Sequence, residues 1–198
     1  MKSNICDLTG KKEELDAVLR EAEKCAVYNE LDMRSTLRMR LLAEELIEML
    51  PELLKCADGI FWIESKQNKY ELHVSMQARK VDLGLRDKLI AVSKSGKNAA
   101  AVGIMGKIRA AAETMLLSAE GSPEIMDLCD FGMDGMGLYR QAWTMQDYVR
   151  RVKEQAKTTE TAEAWDELEK SIIANLADDV IVGVKGNQVD IIVCKEFP

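Results

Sequence analysis

The chain has 198 residues, 47% of them apolar, and a formal charge of -7. That length suits one domain or a compact domain with an appendage, and the acidic balance argues against non-specific binding to nucleic acid. Few aromatics and 11 methionines favour adaptable, helix-rich packing over an aromatic-rich sandwich. The five cysteines, at positions 6, 25, 56, 129 and 194, form no CxxC pair, and there is a single histidine. Structural zinc and a disulfide framework are therefore not expected, and Cys25, Cys56 and Cys194 read as ordinary buried thiols. The first residues, MKSNICDLTGKKEELD, lack the apolar run of a secretory signal. No stretch reaches the length of a membrane span, so cytoplasmic residence is the expectation.

In chain order, Asp7 or Thr9 caps a first helix over Lys11 to Tyr28, with Leu15, Val18, Leu19, Ala22 and Cys25 on its apolar side. Asn29, Glu30 and Leu31 form a joint. The strongest helical pattern follows from Arg34 to Leu50. There Leu42, Leu46, Met49, Leu50 and Leu53 recur at intervals of three and four. Glu44 and Glu48 lie on the other side, one turn apart. Pro51 is expected to end or kink this helix, with a short turn from Leu53 to Asp58 after it.

The period then changes to two. Gly59 to Ser65 and Lys69 to Met76 flank Lys66-Gln67-Asn68 and predict a β-hairpin. Tyr70, Leu72, Val74 and Met76 share its apolar face; Glu71, His73, Ser75 and Gln77 share the other. A short helix is read within Leu83 to Ser93. A helix rich in small residues over Ala99 to Ser118 contains Gly103 and Gly106. Gly132, Gly135 and Gly137 mark an irregular stretch. Tyr139 to Lys157 is read as a helix with a basic end at Arg150, Arg151 and Lys153. Leu168, Ile172, Ile173 and Leu176 line a late helix ending near Ala177. Val180 to Val184 and Val189 to Val193 close the chain as a second hairpin around Lys185-Gly186-Asn187-Gln188. The expected class is α+β: a two-layer sandwich of a mostly antiparallel sheet with helices on one face.

Two segments carry a resemblance. LLAEELIEML resembles the helix of the histidine-kinase, gyrase and heat-shock-chaperone ATPase superfamily, in which a glutamate precedes a metal-binding asparagine by four residues. SIIANLADDVIVGVKGNQVDIIVCKEF resembles that superfamily's closing helix and hairpin. The layout is closest in character to the anti-sigma-factor serine kinases. The resemblance covers roughly residues 34–197, and it divides the chain into an N-terminal helical segment, 1–33, and an ATPase-like sandwich, 34–198. It implies Glu44 as the catalytic carboxylate, Glu48 as the metal ligand, and ATP with magnesium as cofactors. Glu48 stands where the superfamily has asparagine, and Met76 or Gln77 where it has an adenine-binding aspartate. WDELEKS replaces the phosphate-loop glycines.

Ser95-Gly96-Lys97-Asn98 precedes a helix, so exposed N–H groups with Lys97 could attract an anion, although the phosphate-loop signature is absent. The resemblance implies Lys97 and Asn98 as contacts to a nucleotide phosphate. Asp130-Phe131-Gly132 lacks the remainder of a protein-kinase signature, and Asp130 and Asp134 would belong to a lid or a surface turn. His73 has no partner at motif spacing and reads as a surface or structural residue. Arg38, Arg40, Arg150, Arg151 and Lys153 read as solvated helix faces, or as contacts for an acidic partner. Core-forming sequence without a complete catalytic set points to a non-catalytic regulatory or protein-interaction module, and the resemblance implies bacterial signalling as its setting. Its partner would be another cytoplasmic protein or a second copy, with no nucleic acid and no membrane. The alternative is a divergent ATP-binding serine/threonine kinase of the anti-sigma-factor type.

Overall fold

Alternation of apolar and polar residues along four long strands puts one side chain in two on each face of a sheet, and only one of those faces can be fully covered. A computed structural model of the chain describes residues 1–9, 12–53, 57–78, 104, 106–108, 111–112, 115, 141–154, 165–166 and 168–198. Its elements are strand β1 (Cys6–Leu8), helices α1 (Lys12–Tyr28) and α2 (Met33–Leu53), strands β2 (Ala57–Lys66), β3 (Lys69–Ala78) and β4 (Gln141–Thr144), helices α3 (Met145–Glu154) and α4 (Ile172–Leu176), and strands β5 (Asp179–Lys185) and β6 (Gln188–Glu196). The fold is α+β. The strands form one antiparallel sheet in the order β1-β2-β3-β6-β5-β4.

The two hairpins thus join one sheet. Their seam is the β3–β6 ladder, which runs from Lys69↔Glu196 to Gln77↔Gln188. Phe61, Ile63, Leu72, Val74, Ile191, Val193, Val180 and Val182 line its covered face and are almost fully buried. Val18, Ala22 and Cys25 of α1, Met39, Leu42 and Leu46 of α2, and Ile173 of α4 pack into the same core. Ile104, Ile108 and Ala112, all in helical conformation, join it. The N-terminal 33 residues share this core, because β1 pairs with β2 and α1 packs against α2. Glu21, nearly buried, accepts from Lys24 Nζ (2.6 Å) and Asn4 Nδ2 (3.1 Å), which hold its carboxyl below the usual range.

Both hairpin turns are one pair tighter than the alternation suggests. Lys66 pairs with Lys69 and Lys185 with Gln188, which leaves two-residue turns at Gln67-Asn68 and Gly186-Asn187. Gln67 and Gly186 take positive φ (57° and 63°), as such turns require.

Several boundaries differ from expectation for identifiable reasons. The second helix continues through Pro51 to Leu53. Proline there removes one hydrogen bond in the last turn, where partners are already incomplete. Leu53 is the end of that helix and Ala57 already lies in β2, and residues 54–56 of the expected turn lie outside the described residues. Residues 141–144 are extended and pair with β5, and the helix starts only at Met145. Asp7 lies in β1, a strand too short to show a period, while Thr9 is tied to Glu14 through its N–H (2.7 Å). The late helix breaks at Ser171, whose extended backbone (φ -82°, ψ 127°) caps α4 through Ala174 N–H. Ile172 consequently turns outward and is exposed. Cys25 is buried as expected, but Cys194 is only half-buried, on the opposite face of the sheet. Residues 83–93, Gly103, the glycines at 132–137 and the cysteines at 56 and 129 lie outside the described residues.

The α1–α2 elbow explains the antiparallel helical pair. Leu31 N–H bonds to Ala26 O (3.0 Å) and Glu30 N–H to Val27 O (3.1 Å), the two bonds of a Schellman stop. Glu30 sits at its left-handed position with φ 55°. Asp32 then starts α2 by accepting from Ser35 N–H at 2.6 Å. Replacing Glu30 by glycine relieves that backbone strain and is expected to stabilise the fold by about 0.5–1 kcal/mol in urea denaturation. Leu46→Ala, by contrast, opens a void between α2 and the sheet, and the same measurement should show a loss of about 2–5 kcal/mol.

Candidate functional site

Helix α2 directs its carboxylates away from the core. Leu42, Ala43 and Leu46 are buried, whereas Glu44 is half-buried and Glu48 exposed. The side chains of Met49, Leu50 and Leu53 lie outside the described residues, as do Lys97, Asn98, Asp130 and Asp134. The structure therefore brings Glu44 and Glu48 onto one helix side but does not describe the residues that would complete a nucleotide site with them. A neighbour that periodicity did not single out stands at the edge of the core. Glu45 is half-buried, and its carboxyl is pushed up by burial and then by the charges of Glu48 and Glu44. Three carboxylates within two helical turns repel one another, and burial of the middle one raises the cost.

A second group lies on the open face of the sheet. Glu64 pairs with Glu71, and Trp62 with His73, so all four side chains emerge from the same side of β2 and β3. His73 Nε2 is 3.1 Å from Glu71 Oε2, and the Trp62 and His73 rings stack with centroids 4.7 Å apart and planes 3° from parallel. Trp62 Nε1–H donates to Glu64 Oε1 at 2.8 Å. Lys2 reaches the same oxygen at 3.2 Å and lies over the Trp62 ring. These contacts hold the Glu64 carboxyl below its usual value, with the Trp62 bond first among the causes. Burial lowers His73, against the pull of Glu71 and Glu64, so the imidazole tends to be neutral. Next to Glu71 across β6 stands Cys194, whose thiol burial pushes up to about 12, with Glu71, Asp179 and Asp178 adding to the effect. That thiol stays protonated and inert at neutral pH. His73 thus has partners after all. Trp62 and Glu64 reach it from the facing strand, eleven and nine residues back, and Glu71 lies two residues before it on its own strand, so the whole group is visible only once the hairpin register is known.

The basic residues are largely absorbed by local pairing. Arg40 pairs with Glu23, Arg150 with Asp147 (2.6 Å), and Lys153 lies over the Trp165 ring. A cleft of about 420 Å³ opens between α3 and α4, with Met145, Val149 and Ala174 as its apolar wall and Arg150, Lys153 and Asp178 at its rim. Asp178 is itself engaged in closing the sheet, since it accepts from Glu196 N–H (2.6 Å) and Lys195 Nζ (2.7 Å). Asp179 accepts from Gln146 N–H (3.0 Å) and so ties the first turn of α3 to β5. The Asp178-Asp179 junction is structural in both its members.

No helix among the described residues is long and apolar enough to cross a membrane. No protein-family model matches the sequence, and no curated protein is significantly similar to it.

Glu45 supplies a test of the α2 electrostatics. Its raised pKa means that the folded state holds the proton more tightly than the unfolded chain does. That contribution favours folding below the usual glutamate value of 4.5 and is lost as pH rises through the folded pKa. Glu45→Gln is therefore expected to raise the melting temperature at neutral pH by about 1–2 °C. The gain over the parent protein should vanish in thermal scans at pH below that value.

Proposed function

We propose that the chain is a non-catalytic regulatory module, built on an ATPase-like frame with a degenerate nucleotide site, that binds another protein through the elbow of its helical pair. The observation that carries the reading is the apolar surface at that elbow. Val27 and Tyr28, at the end of α1, are each 73% exposed; Met33 and Leu37, at the start of α2, are 91% and 55% exposed. Single exposed hydrophobics need no explanation, but four at one end of a helical pair make a surface suited to burial against a partner. The Schellman stop and the Asp32 cap fix the two helix ends, so the surface is rigid and little ordering entropy is lost on docking.

The frame supports the ATPase-like part of the reading. A capped helix before a strand pair, and a late helix before closing strands in the same sheet, match the layout of the resemblance. The resemblance to anti-sigma-factor kinases supports signalling as the setting. The second reading is a divergent ATP-binding serine/threonine kinase that uses Glu44, Glu48, Lys97 and Asn98. The crowding of Glu44, Glu45 and Glu48 on α2 is the feature in its favour, since a divalent cation would relieve their repulsion.

Calorimetric titration with ATP, with and without magnesium, separates the two. The regulatory reading expects no binding heat at millimolar nucleotide. Magnesium-dependent binding weakened by Glu44→Gln or Glu48→Gln would establish the kinase reading instead. A photo-crosslinking residue at position 28 should capture a discrete partner in cells. Met33→Ser with Leu37→Ser should abolish that capture while leaving the melting temperature within about 2 °C of the parent, as surface substitutions do. Capture that survives both changes would remove the elbow from the reading.

A further inference from the structure

Neither the core nor the elbow uses the open-face group on β2 and β3, yet its donors are arranged as ligands. One donor atom from each of Glu64, Glu71 and His73 lies within 4.8 Å of the other two. Ions that take nitrogen and oxygen ligands at about 2.0–2.2 Å hold neighbouring ligand atoms roughly 3 Å apart. The 3.1 Å between His73 Nε2 and Glu71 Oε2 is such an edge. The hairpin supplies the rest of the geometry: Glu64 and Glu71 are directly paired, and His73 is two residues beyond Glu71 on the same face.

Groups outside the donor set already orient it. The Trp62 ring lies flat against the imidazole, and its Nε1–H fixes Glu64 Oε1. Outer contacts of this kind set ligand orientation in metal centres. Two glutamates paired across a hairpin also disfavour the sheet unless a cation lies near them. Lys2 meets that need for Glu64, at 3.2 Å, from the segment that bridges to the edge of β2. It is a replaceable monovalent occupant, 52% exposed.

We propose that Glu64, Glu71 and His73 form a binding site for a divalent transition ion of the zinc class. His73 donates through Nε2, each glutamate through one oxygen, and water or a partner's ligand completes the shell. An imidazole with two carboxylates suits zinc, cobalt, nickel or manganese, whereas magnesium and calcium prefer sets made of oxygen alone. Binding displaces the Lys2 ammonium from Glu64 and pins the β2–β3 hairpin, so the ion bridges two strands that otherwise carry facing negative charges.

His73 is the chain's single histidine, which makes the test specific. In the full-length protein, zinc chloride titrated against the nitrogen-15 signals of the imidazole should shift Nε2 in a one-to-one stoichiometry, and magnesium at equal concentration should not. Glu71→Gln and Glu64→Gln should each weaken binding by about 10-fold or more while the protein remains folded by circular dichroism. Lys2→Met should tighten binding severalfold, because the competing cation is gone. An unmoved imidazole signal at saturating zinc would overturn the site, as would an equal response to magnesium. Zinc binding that survives both glutamine substitutions together, and is lost on Cys194→Ser, would overturn it as well.

Discussion

The pairing of β3 with β6 is the constraint on which the remainder of the molecule depends. It joins segments more than a hundred residues apart and turns two local hairpins into one sheet. Because side chains alternate along a strand, its register decides for both hairpins at once which residues are covered and which look outward. Leu72 beside Val193 and Val74 beside Ile191 put the apolar sets on one side. A slip of one residue would bring His73, Glu71 and Asp190 into the core and expel those side chains. The covered face then gives α1 and α2 a surface to bury Val18, Ala22, Met39, Leu42 and Leu46 against, and most of their helical stability comes from that burial.

With the covered face committed to packing, the proposed elbow and ion sites both lie on outward surfaces. The helical pair offers an apolar elbow held rigid by its stop and start signals. The sheet offers the Glu64–Glu71–His73 group, in which a stacked indole and a lysine already hold the donors in place. The two surfaces differ in chemistry, one apolar and one charged. They meet near the N-terminal residues: Lys2 bridges to Glu64, and Asn29 at the elbow donates to the sulfur of Met1. An ion at the sheet group would displace a residue that lies close to the elbow, so occupancy of one surface has a physical route to the other.

The acidic side of α2 belongs to neither surface, and its carboxylates repel one another. Glu45 is partly withdrawn from water beside two like charges, an arrangement that costs stability and that a core helix has no packing reason to keep. The closing junction shows the opposite use of acidic side chains. Asp178 and Asp179 stand side by side in sequence, and their oxygens are taken up by Glu196, Lys195 and Gln146, where they seal the last strand and start α3.

What the amino-acid order determined by itself was whatever depends on local period and turn chemistry. The α+β class, both long hairpins, the bodies of α1 and α2, and the burial of Leu42 and Leu46 follow from intervals of two, three and four residues. Elements whose reason for existing is a distant partner were not legible. β1 is three residues long and exists because β2 has a free edge, and residues 141–144 are extended because β5 accepts them. Pro51 passes through the end of α2 because a last turn already lacks partners, and Ser171 breaks the late helix by capping α4 through Ala174 N–H, so at both points position within the helix decided what residue type alone did not. The same division holds for function. Glu44 and Glu48 could be read from helical spacing, whereas Glu64, Glu71 and His73 become one group only when the hairpin register sets them side by side. The exposure of Val27, Tyr28, Met33 and Leu37 was likewise a tertiary decision, since which side of a helix faces water depends on what lies against the other side.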